Sequence, residues 1–302
     1  MNNIKLVLFF SAILIIFAAC GTKIYDYKDS DFSERFDSER FGRVKLNGVW
    51  GFINTKGKEI TPIKYDEVSK FSGGFAEVNL NGKWGVIDKT GKEITPIKYD
   101  KIGSFVEGFA DVGLAGKWGY INAKGKEITP IKYDENYDFK DGLGRVKLDN
   151  KWGLVDTKGK EITPIKYDSI GDFKDEVADV KLNSKWGYID KTGKEITPII
   201  YDGNNNFSEG FGRVRLNNKY GFVDKTGKEI IPIIYDNASN FSEGFTTVNV
   251  GGQWVNTGWY SDYYEFKGGK WGCIDKTGKE VVPLEHNSES SAKKAYKDLN
   301  IK

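Results

Sequence analysis

The chain is expected to be all-β, with seven tandem 34-residue repeats, each a three-stranded antiparallel β-meander, forming an open curved β-repeat array. Three observations predict this. An aromatic-glycine pair falls at Trp50-Gly51, Trp84-Gly85, Trp118-Gly119, Trp152-Gly153, Trp186-Gly187 and Tyr220-Gly221, each 34 residues after the last, and again at Trp271-Gly272. A fixed period of about 20–50 residues is the signature of a repeat architecture. Within a copy, Ala76, Val78 and Leu80 alternate with Glu77 and Asn79, the period of two of a half-buried strand. All seven prolines (Pro62, Pro96, Pro130, Pro164, Pro198, Pro232 and Pro283) occupy one slot of the repeat, which leaves none for a flexible linker. A length of 302 residues would suggest about two globular domains, but that prior assumes single cores, and the repeats favour one continuous array.

The first residues read as export. Lys5, an apolar run from Leu6 to Phe17, and the small residues Ala18 and Ala19 before Cys20 have the order of a signal peptide, so residues 1–19 are expected to be removed. The Phe17-Ala18-Ala19-Cys20 ending resembles the lipobox of bacterial lipoproteins, with Phe17 where Leu is usual. That resemblance implies that Cys20 is lipidated and becomes the new N-terminus. A plain signal peptide cut before a free cysteine, or an uncleaved anchor, is the other reading. The lipid would be the membrane contact, since no later stretch approaches the roughly 18 apolar residues of a spanning helix.

Residues 20–40 are polar and charged, as a tether between a lipid anchor and the repeats should be. Lys23-Ile24-Tyr25-Asp26 echoes the Ile97-Lys98-Tyr99-Asp100 ending of a repeat. It reads as a strand that caps the first copy or reaches round to the last.

The repeats occupy residues 41–287, and each has the same three parts. After the alternating first strand comes a two-residue turn such as Asn47-Gly48, Asn81-Gly82 or Asn217-Asn218. These pairs tolerate the positive φ that a type I′ hairpin needs at both central positions. The second strand is Lys-Trp-Gly-x-Ile-Asp. The next turn, Asp88-Lys89-Thr90-Gly91, places a glycine where a three-residue hairpin closes through a left-handed residue. A third strand, 92–95, then meets Pro96, which cannot donate a ladder hydrogen bond. Each Trp is expected to be buried, and the adjacent glycine to leave room for a ring of the Phe75 or Tyr99 type. Three strands alone cannot cover such side chains, so neighbouring copies must stack.

This G-K-W-G-x-I-D-K-T-G-K-E-I-x-P core resembles the bacterial WG (KWG) repeat-containing lipoprotein family, over about 41–287. The resemblance implies an exported or cell-envelope β-repeat protein with interaction roles and no assigned enzymatic activity, and it names no functional residues. Tyr220 in place of Trp, and Leu284-Glu285-His286-Asn287 in place of Ile-Lys-Tyr-Asp, depart from the pattern; the second reads as a terminal cap. A closed seven-bladed β-propeller is the alternative architecture. Propeller blades usually have four strands and about 40–45 residues, so a repeat of 34 favours the open array.

One copy is interrupted. Trp254 falls 34 residues after Tyr220, but Val255 stands where glycine is due, and the motif restarts only at Gly268-Gly269-Lys270-Trp271. The insert, at about 252–268, is rich in aromatic residues, and Trp254, Trp259, Tyr260, Tyr263, Tyr264 and Phe266 are the candidate binding residues. Packing of an additional hairpin is the competing reading. Residues 288–302 form a polar C-terminal tail, helical after Ser290.

Chemistry-bearing patterns are few. His286 is the only histidine, so neither a His-based triad nor a multi-histidine metal site is available, and no catalytic residue, metal or cofactor is expected. Asp88, Asp156, Asp190, Asp224 and Asp275 recur before the Lys-Thr-Gly type of turn, where periodicity favours turn chemistry over a glycosidase pair. Glu59, Glu93 and Glu127 read as solvated strand positions beside adjacent lysines. Cys273 reads as a small buried residue. With 45 Lys and Arg interleaved among 43 Asp and Glu, no basic field tracks a phosphate backbone, so nucleic acid is not an expected partner. The expected function is a non-enzymatic, exported, lipid-anchored scaffold that binds another protein at the cell envelope or surface. Glycan or peptidoglycan binding through exposed Trp and Tyr is the alternative.

Overall fold

The computed structural model describes residues 14–15, 24–26, 39–256 and 264–300. In the second copy, strands Phe75–Leu80 and Lys83–Asp88 pair antiparallel, with Phe75 opposite Asp88 and Leu80 opposite Lys83. Asn81 and Gly82 join them at φ of 53° and 73°, the left-handed pair that the turn sequence predicts. The same hairpin recurs at 41–54, 109–122, 177–190 and 211–224. The fourth copy has strands of equal length, Leu143–Leu148 and Lys151–Asp156.

Within the repeats a strand follows each Tyr-Asp and adds to the outer side of the next hairpin, as Glu67–Val68 does beside Asn79 and Val78; it has two residues except at Glu135–Lys140. The fold is therefore a series of small antiparallel sheets of mostly three strands, with four in each of the last two. No sheet closes on itself among the described residues, which fits the open array. The chain divides into two compact units, Met1–Asp149 with Val155–Lys160, and Asn150–Leu154 with Glu161–Lys302.

The strand expected at 92–95 is not regular in most copies. There the segment makes only isolated bridges, such as Ile87 to Glu93 and Trp84 to Tyr99. The buried Thr95 hydroxyl explains the gap, because its Oγ1 accepts the Val86 N–H at 2.8 Å in place of a ladder carbonyl. Thr61, Thr129, Thr163 and Thr197 do the same in their copies, at 2.9 to 3.0 Å. Where Ile231 or Val282 replaces the threonine no hydroxyl is available, and continuous strands form at Glu229–Tyr235 and Glu280–His286.

The core lies between successive sheets. One cluster joins Phe52 and Tyr65 to Phe71, Ala76, Val78 and Ile87 of the following copy, and another joins Val86 and Tyr99 to Ala110, Val112 and Ile121. Ring pairs lock copies together, Phe75 on Phe105 at 4.4 Å and Phe211 on Phe241 at 4.7 Å; such pairs contribute about 0.5–1.5 kcal/mol beyond burial.

Two expectations need correction. The largest fully buried side chains include Tyr65, Tyr99, Tyr120, Tyr133, Tyr167 and Tyr188, whereas Trp50, Trp84, Trp118, Trp152 and Trp186 are half-buried. The residue beside the Trp-Gly glycine is neither Phe75 nor Tyr99. A Cβ on Gly85 would lie 2.8 Å from Ile97 Cγ1 and 3.1 Å from its Cα, because the segment after Pro96 crosses the strand there.

Both ends are covered. Ile24–Tyr25 pairs with Leu14–Ile15. Tyr25 is buried against Val44 and Ile53, its hydroxyl donates to Glu59 at 3.0 Å, and Asp26 accepts the Asn47 N–H at 3.0 Å. Of the two expected roles, this segment therefore caps the first copy. At the other end the 288–302 tail is more than an appendage, for helix Glu289–Asn300 buries Ala292 against Phe245, Trp271, Cys273 and Val282. Tyr296 stacks on Phe245 at 3.8 Å, the place a further copy would fill with phenylalanine.

Candidate functional site

The interruption is a continuation of the seventh hairpin. Its two strands run twelve residues each, Phe245–Asn256 and Tyr264–Asp275, in one constant register from Phe245 opposite Asp275 to Asn256 opposite Tyr264, with only Gly251 and Gly269 left unpaired. The normal turn is started and then overrun. Gly251 N–H donates to Asp236 Oδ2 at 2.7 Å and Gly252 N–H to Asn249 Oδ1 at 3.0 Å. These match Asn81 on Asp66 and Gly82 on Asn79 in the second copy. Gly251, Gly268 and Gly269 all hold positive φ, and a Cβ on Gly269 would lie 2.4 Å from Gly252 N, so only glycine allows the two chains to pass this point and continue.

Beyond the glycines the alternation of the strands sorts the side chains. Trp254 lies opposite Phe266, and Asn256 opposite Tyr264, so these four share one face. Phe266 is half-buried edge-on between Trp254 (5.3 Å) and Trp271 (5.7 Å), and Trp271 roots the row in the core. Trp254 is 48% exposed and Tyr264 is 56% exposed. The opposite face carries Gln253, Val255, Glu265 and Lys267, with Glu265 and Lys267 paired at 3.1 Å. Of the six sequence-predicted residues the structure thus brings together Trp254, Tyr264 and Phe266; Trp259, Tyr260 and Tyr263, and the lipidation candidate Cys20, lie outside the described residues. Sequence reasoning missed Trp271 as the foot of the row, because its motif marks it only as one more repeat position.

The recurrent carboxylates are occupied locally. Asp88 Oδ1 accepts the Thr90 N–H (2.8 Å), the Thr90 hydroxyl (2.6 Å) and the Lys92 N–H (3.1 Å), as turn chemistry requires. Desolvation pushes its pKa up, but these bonds and the Lys92 charge outweigh it and hold the carboxyl below the usual range. The strand glutamates are not simply solvated beside adjacent lysines. Glu127 accepts from Lys98 Nζ at 2.7 Å and Tyr99 OH at 2.9 Å, both from the preceding copy. His286 Nδ1 lies 3.0 Å from Ser291 Oγ and ties the last strand to the helix. Among the described residues no group of three or more His, Cys, Asp or Glu side chains is placed to hold a metal ion.

The family described as "WG containing repeat" matches residues 50–84, 84–118, 118–152, 152–186, 186–220, 220–254 and 271–285. The chain belongs to this family. The one break in the family match, between 254 and 271, is the segment that carries the aromatic row. No curated protein matches this WG-repeat chain. Among solved structures it is similar to Hsv2 of Kluyvelomyces marxianus at 10% identity, covering 72% of this chain and 89% of that one, with a TM-score of 0.29. It is also similar to a eukaryotic initiation factor at 10% identity, covering 81% and 73%, with a TM-score of 0.34.

Proposed function

We propose that this WG-repeat protein is a non-enzymatic scaffold, lipid-anchored through Cys20 at the cell envelope, that binds another protein with the aromatic face of its extended hairpin. One observation carries the reading, the exposure of Trp254 and Tyr264 side by side on one face of a hairpin that the repeat itself does not need. Every other described tryptophan is at least half-buried. Trp and Tyr are the residue types enriched at interface hot spots, and a rigid antiparallel ladder holds them without much loss of side-chain freedom on binding.

The structure suggests a precise deletion. Removing 253–269 joins Gly252 to Lys270, which recreates a Val-Gly-Gly-Lys-Trp hairpin and the 34-residue spacing. The shortened protein is expected to keep its circular dichroism spectrum and melting temperature within a few degrees, and to lose capture of the protein partner recovered by the intact chain from solubilised envelopes. Undiminished capture would remove the hairpin from the site. Recovery of glycan in place of protein would favour the alternative ligand. For the anchor, Cys20→Ala is expected to move the protein from the membrane fraction to the soluble fraction and to abolish labelling by a fatty-acid analogue. Retention of both would overturn the anchored reading.

A further inference from the structure

We propose that the sixth copy carries a pocket that binds a carboxylate, built from Arg213, Arg215, Asn204 and Tyr220. The copy departs from its siblings at several positions that converge in space. Tyr220 replaces the repeat tryptophan, Arg215 stands where Lys147 and Lys181 do, and Gly203-Asn204 replaces pairs such as Lys101-Ile102 and Ser169-Ile170. Together they line a cavity of about 150 Å³, with Asn205 on its wall. The smaller ring leaves the space and Gly203 leaves the approach, since a Cβ there would sit 3.5 Å from Arg215 Nε and any longer side chain would cover it.

Hydrogen bonding points to the ligand. Among the described residues, the buried side-chain polar atoms without a partner are Asn204 Nδ2 and Arg215 Nε, both on this cavity and both donors. A buried donor without an acceptor leaves its lost hydration uncompensated, and the penalty is larger when the donor is charged. At this slot Val68, Ile102 and Ile170 leave no such donor, and Asn136 of the fourth copy donates its Nδ2 to the Gly119 carbonyl at 3.4 Å. Arg213 is held rigidly, with Nη2 donating to Asn205 Oδ1 at 2.7 Å, Nη1 donating to the Ala238 carbonyl, and the guanidinium 5.3 Å from the Tyr220 ring centroid. Among the described residues no carboxylate lines the cavity. The nearest by sequence, Asp202, is engaged by Lys185 at 2.5 Å and the Asn217 N–H at 2.7 Å.

Two cationic groups and two unused donors therefore line a space that no carboxylate lines. A carboxylate supplies two acceptor oxygens and one negative charge, and the side edge of a guanidinium is suited to receive it. A phosphate or sulfate would bring more oxygens than the free donors can satisfy. The volume suits a ligand of about benzene size, a carboxylate on a short stem.

Titration of the full-length protein with acetate at constant ionic strength, followed by the Arg215 Nε–H resonance and by calorimetry, tests this. Saturable binding is expected. It should weaken at least about tenfold in Asn204→Ile and in Arg215→Lys, as loss of a charge-assisted bond implies. Both variants install a sibling copy's residue, so folding should be kept, and Asn204→Ile should melt at or above the wild-type temperature. A parallel titration with a tripeptide bearing a free C-terminal carboxylate, against its amide, separates the sources. Tenfold tighter binding of the free peptide than of acetate assigns a polypeptide carboxylate, and equal affinities assign a free small acid. Absence of saturable binding by wild type to both probes, unchanged affinity in both variants, or tighter binding of phosphate than of acetate would each overturn the proposal.

Discussion

Gly82 and Gly91 stand in the turns at either end of strand Lys83–Asp88, both at positive φ (73° and 81°), yet they answer different demands. A Cβ on Gly82 would meet nothing within 4 Å, so the turn alone requires it, whereas a Cβ on Gly91 would fall 1.9 Å from the carbonyl oxygen of Ile60 in the preceding copy. Gly125, Gly193 and Gly227 meet Ile94, Ile162 and Ile196 in the same way. Gly82→Ala is expected to cost about 1 kcal/mol through its left-handed backbone. Gly91→Ala should cost about 2–4 kcal/mol, because the backbone penalty is joined by the overpacking of two copies. Urea unfolding of the two variants decides the matter, and equal midpoints would show that the approach to Ile60 relaxes freely. Sequence made both glycines legible as turn residues. The second role was hidden because it depends on how one copy stacks on the previous one, which no local pattern specifies.

The elements were legible to the extent that their causes are local. Alternation at 76–80 and the Asn81-Gly82 turn give the hairpin directly. The third strand was read from the same apolar pattern but is governed by one hydroxyl, that of Thr95, which takes the Val86 N–H for itself. Copies six and seven, with Ile231 and Val282 in that slot, supply the natural control. Thr95→Val is therefore expected to let the 93–99 segment close into a regular strand, at a cost below about 1 kcal/mol instead of the 1–3 kcal/mol of a stranded buried donor. Slow amide exchange at Val86 retained in the variant supports this, and fast exchange with a large loss of stability refutes it. The C-terminal helix was less legible. Its packing depends on Ala292, Tyr296 and Glu289, whose carboxylate accepts from Ser239 Oγ at 2.6 Å and Thr247 Oγ at 3.1 Å, and none of these partners is near in sequence. The aromatic hairpin stood out as a break in the period, but the face its rings take follows from register and could not be read before the pairing was known.

Over the whole molecule, contacts repeated in five of the copies make stability depend on pH in a way that a single pair would not. Asp100 and Asp134 are held below the usual carboxylate range, first by the hydrogen bonds from Lys83 and Lys117 and then by backbone N–H groups. Their contribution is present above the unfolded value, near pH 4, and is lost as pH falls through the depressed values. Burial raises the tyrosines, Tyr65 to about 12, with the Glu93 charge adding to it. Their contribution is complete below about pH 10 and is lost as pH rises toward the folded value. A plateau between these limits is the expected profile, but a second pair of carboxyls tilts it. Glu77 and Asp111, one copy apart, are both half-buried. Desolvation raises Glu77 first and the charge of Asp111 second, while Asp111 is raised chiefly by desolvation, with the Asp138 charge adding to it. A carboxyl whose folded pKa is raised favours the fold when protonated and opposes it once ionised, so this pair costs stability at neutral pH and nothing near pH 3. Asp111→Asn keeps the shape and removes the charge, and it is expected to raise the melting temperature at pH 7 by a few degrees, equivalent to about 1 kcal/mol, with the gain shrinking to zero as pH falls below about 4. Melting curves of both proteins at pH 3, 5, 7 and 9 check the sign, and a gain that persists at pH 3, or a loss at pH 7, would mean that the ionised carboxylate has a partner worth more than its burial costs.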